Sequence, residues 1–400
     1  MRMTETPAGG PLRPATRLRL LDELYRHPAT SRAELVRLTG LSRATVSAAI
    51  DELERSGLVG EHEGADDARP RNSGRPPILL SLVPDAAFAV GLDFGHTHIR
   101  VAICDLAGQA VVDKWALVDV DHAPVDSLDL AHDLVREALG TAGIAEERLL
   151  GIGMGVAAPI NKLTGELEAE AILPGWHQLN PALEMERRLG MPVRVENDAN
   201  VGALGEHAFG AARGFDQVMY VRLSAGIGAG LILNGSLYQG AVGTAGDIGH
   251  SLVDPAGEIC RCGNRGCLET IASPVALAAL LTRSTGSPVS VQRLLELVDE
   301  NDRGARRAVA DAGEAVGTAL SRMVNLLNPE VVVVGGELAT AGPVVLDPLR
   351  TAIERYSLAT ASSAVQVTMG TLGDRAEVLG AAGLILAGSP EALARRIGAC

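Results

Sequence analysis

Two stretches of this chain repeat one pattern of apolar strands joined by glycine turns. Residues 86–118 contain three strand-like runs, with turns at Phe94-Gly95 and Ala107-Gly108. Residues 219–240 repeat the order of strand, glycine-rich turn, strand and Asn-Gly turn, and helical segments lie between the two copies. A repeat of this kind predicts an α/β body made of two similar lobes that face each other across a cleft.

Three of the five cysteines lie in one short segment, residues 246–270, with the sequence GDIGHSLVDPAGEICRCGNRGCLET. A histidine precedes them, and the spacing is His-x9-Cys-x-Cys-x4-Cys. The candidate metal ligands are His250, Cys260, Cys262 and Cys267. Four nitrogen and sulfur ligands at this spacing suit a closed tetrahedral Zn²⁺ site, so we predict a structural zinc ion. The alternative is a solvated cysteine-rich loop.

Composition limits the class of protein. The chain has 400 residues, enough for two or three domains, and 47% of them are hydrophobic. No run of about 18 apolar residues occurs, and the N-terminus lacks an apolar signal segment, so we predict a cytoplasmic protein without a membrane span. The net charge of −14 disfavours nucleic acid, but residues 1–81 carry 12 Arg against 11 Asp and Glu. Only this N-terminal segment tolerates a polyanionic partner.

Residues 14–82, after a flexible tail at residues 1–13, have the organisation of a DNA-binding domain. Apolar positions at helical spacing predict helices over residues 14–27, from Thr30 or Ser31 to Leu38, and onward from a cap at Ser42. The last two form a helix-turn-helix, whose third helix would enter the major groove. The predicted DNA contacts on it are Ser42, Arg43, Thr45 and Ser47, with Arg43 the best candidate for a base. The alternative is a three-helix bundle that binds no DNA.

A charged stretch at residues 61–77 follows the third helix and lies between two strand-like runs. Strands around such a loop are typical of a wing, and the extended Gly74-Arg75-Pro76 could enter an A·T-rich minor groove. We therefore predict that Arg75 contacts DNA. A solvated interdomain linker is the alternative, and we also expect the head to hang from the body by residues 69–77.

The order GDIGH followed by CRCGNRGCLE resembles the signature of the ROK family, which groups bacterial sugar kinases with sugar-responsive transcriptional repressors. The resemblance extends from residue 86 to about 390 and implies the actin-like ATPase fold of sugar kinases. It implies a first lobe at residues 86–196, completed by about 385–400, and a second lobe at residues 197–384 with the zinc site. ROK repressors carry a winged helix and a Gly-Arg-Pro segment at the corresponding place, which favours the wing.

The resemblance also implies a sugar site. In the family's kinases the acid of the Glu196-Asn197-Asp198 motif takes a proton from a sugar hydroxyl. Carried over by position, the sugar ligands are Asn197, Asp198, Asp247, His250 and Glu269. Asp247 stands where many ROK kinases have Glu, so its reach is one methylene shorter. By the residues alone, a carboxylate at a helix N-terminus is also a common cap, and Trp176 is either a core or a sugar-stacking residue.

Both glycine hairpins depart from the phosphate loops of the family's kinases. His96 replaces the second glycine of Asp-x-Gly-Gly-Thr, Ala225 replaces a threonine whose hydroxyl would bond a phosphate, and Glu337 replaces a glycine of the adenosine segment. The remaining, degenerate nucleotide-phosphate residues are Asp93, Gly95, Thr97, Gly226 and Gly228. ATP and Mg²⁺ are therefore expected only if the chain is a kinase.

These observations favour a regulator over an enzyme. A winged head joined to a sugar pocket without intact phosphate loops suits ligand sensing, which needs differential affinity and no chemistry. We predict a repressor of carbohydrate uptake or catabolism genes that binds two-fold operator DNA as a homodimer or dimer of dimers and responds to a sugar. The alternative is an ATP-dependent, glucokinase-like sugar kinase or a bifunctional protein, with Asp198 as catalytic base.

Overall fold

The structure, a computed structural model, describes residues 14–63, 78–167, 172–177 and 179–398. These residues form one three-stranded and two five-stranded sheets. Within this part of the chain no single helix is long and apolar enough to cross a membrane. One pair bent by 45°, Gly373–Leu386 with Ser389–Arg396, meets that length and composition only when joined.

The N-terminal head consists of three helices and a small sheet. Its elements are α1 (Pro14–Arg26), β1 (Thr30–Ser31), α2 (Arg32–Thr39), α3 (Arg43–Arg55), β2 (Val59–Glu63) and β3 (Ile78–Leu82). Ser31 caps α2 by accepting from the Glu34 N–H at 3.2 Å, and Ser42 caps α3 by accepting from the Thr45 N–H at 3.1 Å. Gly40, with φ of 64°, ends α2. The predicted helix-turn-helix is confirmed.

The loop that contains Arg75 connects two paired strands. β2 runs antiparallel to β3, with Val59 opposite Leu82 and Glu63 opposite Ile78. Residues 64–77 therefore join the two strands of one hairpin, as a wing does, and they lie outside the described residues together with Arg75. The prediction that residues 69–77 connect head and body is wrong, because the chain enters the body through Val83–Ala87, directly after β3.

The first lobe is built on one five-stranded sheet. Its elements are β4 (Phe88–Phe94), β5 (His98–Asp105), β6 (Ala110–Leu117), α4 (Pro124–Ala142), β7 (Leu149–Val156), α5 (Pro181–Leu189) and β8 (Val193–Asn197). The strand order is β6-β5-β4-β7-β8, in which β4, β5 and β6 are antiparallel neighbours and β7 and β8 extend the sheet in parallel.

The second lobe repeats this arrangement. Its elements are α6 (Asp198–Phe209), β9 (Val218–Leu223), β10 (Ile227–Leu233), β11 (Ser236–Leu237), α7 (Glu269–Ala272), α8 (Pro274–Thr285), α9 (Val291–Asp299), α10 (Arg303–Leu327), β12 (Val331–Gly335), α11 (Pro343–Tyr356), α12 (Ala359–Ala364) and β13 (Gln366–Met369). The strand order is β11-β10-β9-β12-β13, again with antiparallel hairpins extended by two parallel strands. The duplicated body predicted from the glycine hairpins is confirmed.

The two lobes are joined by α6 and by a helix near the C-terminus that packs against it. The last two helices that the structure describes are α13 (Ala376–Leu386) and α14 (Ser389–Gly398). α13 packs on β4 and β7 of the first sheet, while α6 packs on β9 and β10 of the second, and the two helices contact each other along their length. A Cβ on Gly380 would lie 1.7 Å from the Val201 carbonyl oxygen, so this approach requires glycine.

The head shares a hydrophobic core with the C-terminal helices. Leu20, Leu24 and Leu53 of the head belong to the same buried cluster as Leu386 and Leu393. α1 also packs directly against α14. The head is therefore a packed extension of the first lobe, and a movement of that lobe moves the head with it.

Candidate functional site

A pocket opens between the lobes, at the end of β8 and beside the β9–β10 hairpin. Its lining contains all five side chains that the family resemblance assigns to a sugar, namely Asn197, Asp198, Asp247, His250 and Glu269. They come from segments up to 72 residues apart in the chain, and the fold brings them to one cavity. Because three of the five are carboxylates, we call this cavity the acidic pocket.

Asn197 and Asp198 are fixed at the start of α6. The Asn197 Oδ1 accepts from the N–H groups of Ala199 and Asn200 at 3.0 and 3.3 Å, and its Nδ2 donates to the Ala158 carbonyl at 3.2 Å. The Asp198 Oδ1 accepts from the Ala199 N–H at 2.7 Å. Asn197 thus caps the helix, Asp198 lies in its first turn, and both side chains also line the pocket, so a capping role does not exclude a binding role.

The Glu269 side chain lines another side of the pocket and is held in place by an ion pair with Arg261. Nε of Arg261 donates to Glu269 Oε1 at 2.9 Å and a terminal nitrogen donates to Oε2 at 3.1 Å. This bidentate geometry orients the carboxylate. A Cβ on Gly226 would lie 2.9 Å from Glu269 Oε2, so the glycine of the β9–β10 hairpin leaves room for the carboxylate.

Asp247 and His250 lie on a tight turn that packs on β10. Gly246 has φ of 96°, and a Cβ there would lie 1.9 Å from the Ala229 carbonyl oxygen, so the turn requires glycine. Burial raises the pKa of the Asp247 carboxyl above its ordinary value, while the nearby His250 opposes the rise. Hydroxyl groups of a ligand can donate hydrogen bonds to this carboxylate.

The three cysteines and His250 form a compact cluster that could hold a metal ion. Their ligand atoms all lie within 4.8 Å of one another. The sulfurs of Cys262 and Cys267 are 3.7 Å apart, and Cys260 Sγ is 3.5 Å from His250 Nδ1. A tetrahedral zinc ion with Zn–S of about 2.3 Å and Zn–N of about 2.0–2.1 Å separates two sulfurs by about 3.8 Å and a sulfur from a nitrogen by about 3.5 Å. The cluster fits a zinc ion.

A second cavity, of about 520 Å³, is lined by side chains of both lobes. We call it the rear cavity. Its walls are mostly apolar, with Leu117 and Trp115 from the first lobe facing Leu295 and Met369. Its charged groups are Asp93, His98, Arg100, Glu206, Arg222, Glu337, Asp374 and Glu377.

The residues assigned to a degenerate phosphate site do not gather in one place. Asp93 lines the rear cavity, Gly226 and Gly228 line the acidic pocket, and Gly95 and Thr97 are in neither of these two linings. His96 also lines the acidic pocket, where its Nδ1 lies 2.8 Å from Asp121 Oδ1. Its bulk therefore faces the acidic pocket and does not face the rear cavity.

Seven charged residues that the sequence reasoning missed line the two cavities: Arg261 in the acidic pocket, Arg222 in both, and His98, Arg100, Glu206, Asp374 and Glu377 in the rear cavity. Arg261 has been described above, and Arg222 and Glu377 form an ion pair in which Arg222 Nε donates to Glu377 Oε1 at 2.9 Å. His98 Nε2 lies 3.2 Å from Asp93 Oδ2, and this hydrogen bond raises the pKa of His98. An arginine within the apolar strand VMYVRL and a glutamate within the apolar helix AEVLGAAGLIL were the available signals.

Trp176 is a core residue in the structure. Its ring is 1% exposed, meets Phe94 edge-on at 5.8 Å, and its Nε1 donates to the Val120 carbonyl at 2.6 Å. The ring does not line the acidic pocket. The sugar-stacking alternative is therefore not supported.

The predicted DNA contacts lie on an accessible part of the head. Ser42, Arg43 and Ser47 are exposed and Thr45 is half-buried at the N-terminal end of α3. The hydroxyls of Ser42 and Thr45 are 2.8 Å apart, so they bond each other as well as the helix terminus. Arg43 is the cation at this end of the helix.

Two family models match the chain: the ROK family model at residues 89–387 and the MarR family model at residues 13–70. The xylose repressor of Bacillus subtilis is 30% identical over 370 residues, which cover 92% of this chain and 94% of that protein. A glucokinase of Halalkalibacterium halodurans is 32% identical over 313 residues, covering 74% of this chain and 94% of that protein.

Among solved structures, a ROK family transcriptional regulator described as a homolog of the E. coli MLC protein is similar across nearly the whole chain. The TM-score is 0.79, and the match covers 97% of this chain and 99% of that one. At 24% identity, this similarity supports the fold alone.

Proposed function

The chain belongs to the ROK family, and we propose that it is a DNA-binding transcriptional repressor that senses a sugar in the acidic pocket. The observation that carries this proposal is the presence in one chain of an exposed recognition helix and a pocket that gathers five sugar-type ligands beside a metal cluster. The similarity to a xylose repressor covers the head and the body, whereas the glucokinase matches a shorter part of this chain. Genes for carbohydrate uptake or breakdown are the targets we propose, and the cytoplasm is the location.

The ligand we propose is a free pentose or hexose. Asp198, Asp247 and Glu269 present carboxylate oxygens that accept hydrogen bonds from hydroxyl groups, and Arg261 already holds one of them in position. A polyhydroxyl ring supplies several donors at once. The relatives are named for xylose and glucose, so D-xylose and D-glucose are the first ligands to test.

We propose that the cysteine cluster holds a structural Zn²⁺ through Cys260, Cys262, Cys267 and Nδ1 of His250. The separation of 3.5 Å between that nitrogen and Cys260 Sγ supports this assignment. His250 Nε2 then faces Asp247, 3.9 Å from its Oδ1. A bound zinc ion would supply rigidity and fix the histidine tautomer, so that the pocket has a stable N–H donor for a sugar hydroxyl.

Sugar binding would change the affinity for DNA through a movement of the two lobes relative to each other. The sugar ligands come from both sides of the cleft, Asn197 and Asp198 from the β8–α6 junction and Asp247 from the turn on β10. A ligand that bonds both sides draws the lobes together, and the head moves with the first lobe because they share a core. In a dimer, such a movement changes the distance between the two recognition helices, which operator half-sites fix.

A sugar kinase is the second candidate because Asp198 lines the pocket in the position of a kinase base. Against it stand the similarity to repressors along the head and the ion pair that Asp198 forms with Arg222 at 2.9 Å. This ion pair occupies Oδ2, one of the two oxygens that could take up a hydroxyl proton. We therefore propose a body that binds sugar without phosphorylating it.

A DNA-release experiment tests the proposal. The purified protein is bound to promoter fragments from its own gene neighbourhood and titrated with a panel of pentoses and hexoses in a mobility-shift assay. We expect a two-fold symmetric fragment to bind, and one sugar of the panel to change its affinity at least tenfold. A chain that binds no fragment, and that turns over a sugar with Mg-ATP, would instead be a kinase.

A further inference from the structure

The Arg222 side chain lies between the acidic pocket and the rear cavity. Its side chain, 11% exposed on β9, lines both cavities, and it is the single residue common to the two linings among the described residues. A group that extends from the acidic pocket past Asp198 toward the rear cavity therefore meets this guanidinium.

Arg222 is held in that position from both sides. Its NH1 lies 2.9 Å from Asp198 Oδ2, and its Nε donates to Glu377 Oε1 at 2.9 Å. Tyr220, which is fully buried, donates its hydroxyl to the same Glu377 oxygen at 3.0 Å. Moving the guanidinium would leave two buried carboxylates without their cation, which is strongly unfavourable.

The charge around Arg222 is negative in spite of the arginine. Asp198, Glu377 and Asp93 surround one guanidinium, and the imidazole of His98 lies 3.2 Å from Asp93. In the acidic pocket itself, Arg222 and Arg261 are both paired with carboxylates, and Asp247 adds a further negative charge. The positive charge of each arginine in this lining is therefore offset by a carboxylate.

We propose that Arg222 makes the acidic pocket a receptor for unphosphorylated sugars, and that it excludes a sugar that carries a phosphate on the hydroxyl facing Asp198. This inference rests on the proposed function and specifies the chemical class of the effector. A free hydroxyl donates to Asp198 at the face that Arg222 leaves open. A phosphate dianion on that hydroxyl meets the guanidinium wall and three carboxylates, so both its size and its charge oppose binding.

The repressor therefore responds to the free sugar and does not respond to the phosphate ester formed in the first step of its metabolism. A nutrient that enters the cell as a free sugar, or is released from an oligosaccharide by hydrolysis, supplies this ligand. A kinase that phosphorylates the same hydroxyl removes it. The concentration of the bound effector would fall as phosphorylation of the sugar begins.

The test compares each free sugar with its terminal phosphate ester by titration calorimetry on the full chain. The pairs include D-xylose with D-xylose 5-phosphate and D-glucose with D-glucose 6-phosphate. We expect one free sugar to bind and its phosphate ester to bind at least tenfold more weakly. A phosphate ester that binds as tightly as the free sugar and changes DNA affinity would overturn this inference and leave the proposed function standing. If no member of any pair binds, the proposed function fails and the inference fails with it.

A double substitution tests whether Arg222 causes the preference for the free sugar over its phosphate ester. The double variant Arg222→Gln/Glu377→Gln removes one positive and one negative charge, so the net charge is unchanged. We expect the affinity ratio of free sugar to phosphate ester to fall at least threefold, because the wall is gone. The matched control is Arg100→Gln/Asp374→Asn, a pair at 2.7 Å that lines only the rear cavity and should keep the parent ratio.

The ratio is read on folded protein and does not depend on overall stability. If the double variant fails to fold, Arg222→Lys keeps the cation but cannot bond Asp198 and Glu377 in the same planar geometry, and an intermediate ratio is expected. A parental ratio in whichever of these variants folds would overturn the role of Arg222.

Discussion

Cys260 Sγ lies 3.5 Å from Nδ1 of His250, so the imidazole nitrogen that completes the cysteine cluster is defined by the structure. The other nitrogen, Nε2, faces Asp247 in the acidic pocket. One side chain therefore belongs both to the cluster that could hold a metal and to the pocket that could hold a ligand.

The first prediction concerns zinc. We expect one zinc ion per chain in freshly purified protein, measured by elemental analysis, and less than half of that in Cys262→Ser, because a structural site needs all four ligands. Loss of the metal should lower Tm by at least about 5 °C. The control is Cys104→Ala, since Cys104 is buried in the first lobe, away from the cluster. Parent protein without stoichiometric zinc contradicts the assignment.

The second prediction concerns operator recognition. Arg43→Ala should relax sequence preference by about 1–3 kcal/mol at one base position, as expected when a base contact is lost. Arg75→Ala should weaken binding to sites with A·T-rich flanks. Arg55→Ala is the control, because Arg55 is exposed in the last turn of α3, away from the N-terminal end that we expect to enter the groove. If the Arg43 and Arg75 variants bind like the parent at several salt concentrations, the head does not read DNA in this way.

The third prediction is that Mg-ATP and sugar give no phosphorylation above background in a coupled assay. We expect this because His96 and Ala225 replace residues of the phosphate loops in the family's kinases, and because Arg222 occupies one oxygen of Asp198 at 2.9 Å. Robust turnover that disappears in Asp198→Asn would establish the kinase alternative.

The fourth prediction separates sensing from DNA binding. Asp247→Ala should keep the affinity for operator DNA within about twofold of the parent and lose the response to the inducing sugar, because it removes a ligand of the acidic pocket and nothing in the head. Asp254→Ala is the control, because Asp254 is exposed and is not part of that lining. An Asp247 variant that responds at the parental sugar concentration would show that the sensor is elsewhere.

The fifth prediction concerns the shared core of head and body. Leu393 is 1% exposed and packs in the cluster that contains the head leucines. Leu393→Ala should destabilise the protein by about 2–5 kcal/mol in denaturant unfolding and reduce DNA binding through the head. Leu358→Ala, at a residue that is 68% exposed, should cost less than about 0.5 kcal/mol. Equal stability of the two variants would mean that head and C-terminus do not support each other.

Features that depend on nearby residues were predictable from the sequence. The capping residues Ser31 and Ser42 predict the starts of two helices in the head, and the glycine turns predict the duplicated hairpins. The spacing of His250 and the three cysteines predicts the cluster that could hold a metal. Each of these depends on a pattern shorter than about 30 residues, in which local geometry decides the structure.

Features that depend on distant residues were not predictable. Arg222 and Glu377 are 155 residues apart, and only the packing of α13 against the lobes brings them together. The hairpin sequence gave no indication that His96 would face the acidic pocket, since this depends on Asp121, which is 25 residues away. The connection between head and body was also misjudged, because charge composition does not reveal that β2 pairs with β3 across the loop.

The shared core of head and C-terminal helices has a consequence for the order in which the molecule is made. A ribosome releases the recognition helix first, but Leu20, Leu24 and Leu53 meet Leu386 and Leu393 only after nearly the whole chain has been synthesised. A truncated nascent chain therefore exposes an apolar face on its head. The head therefore completes its packing only after the C-terminal helices have been synthesised.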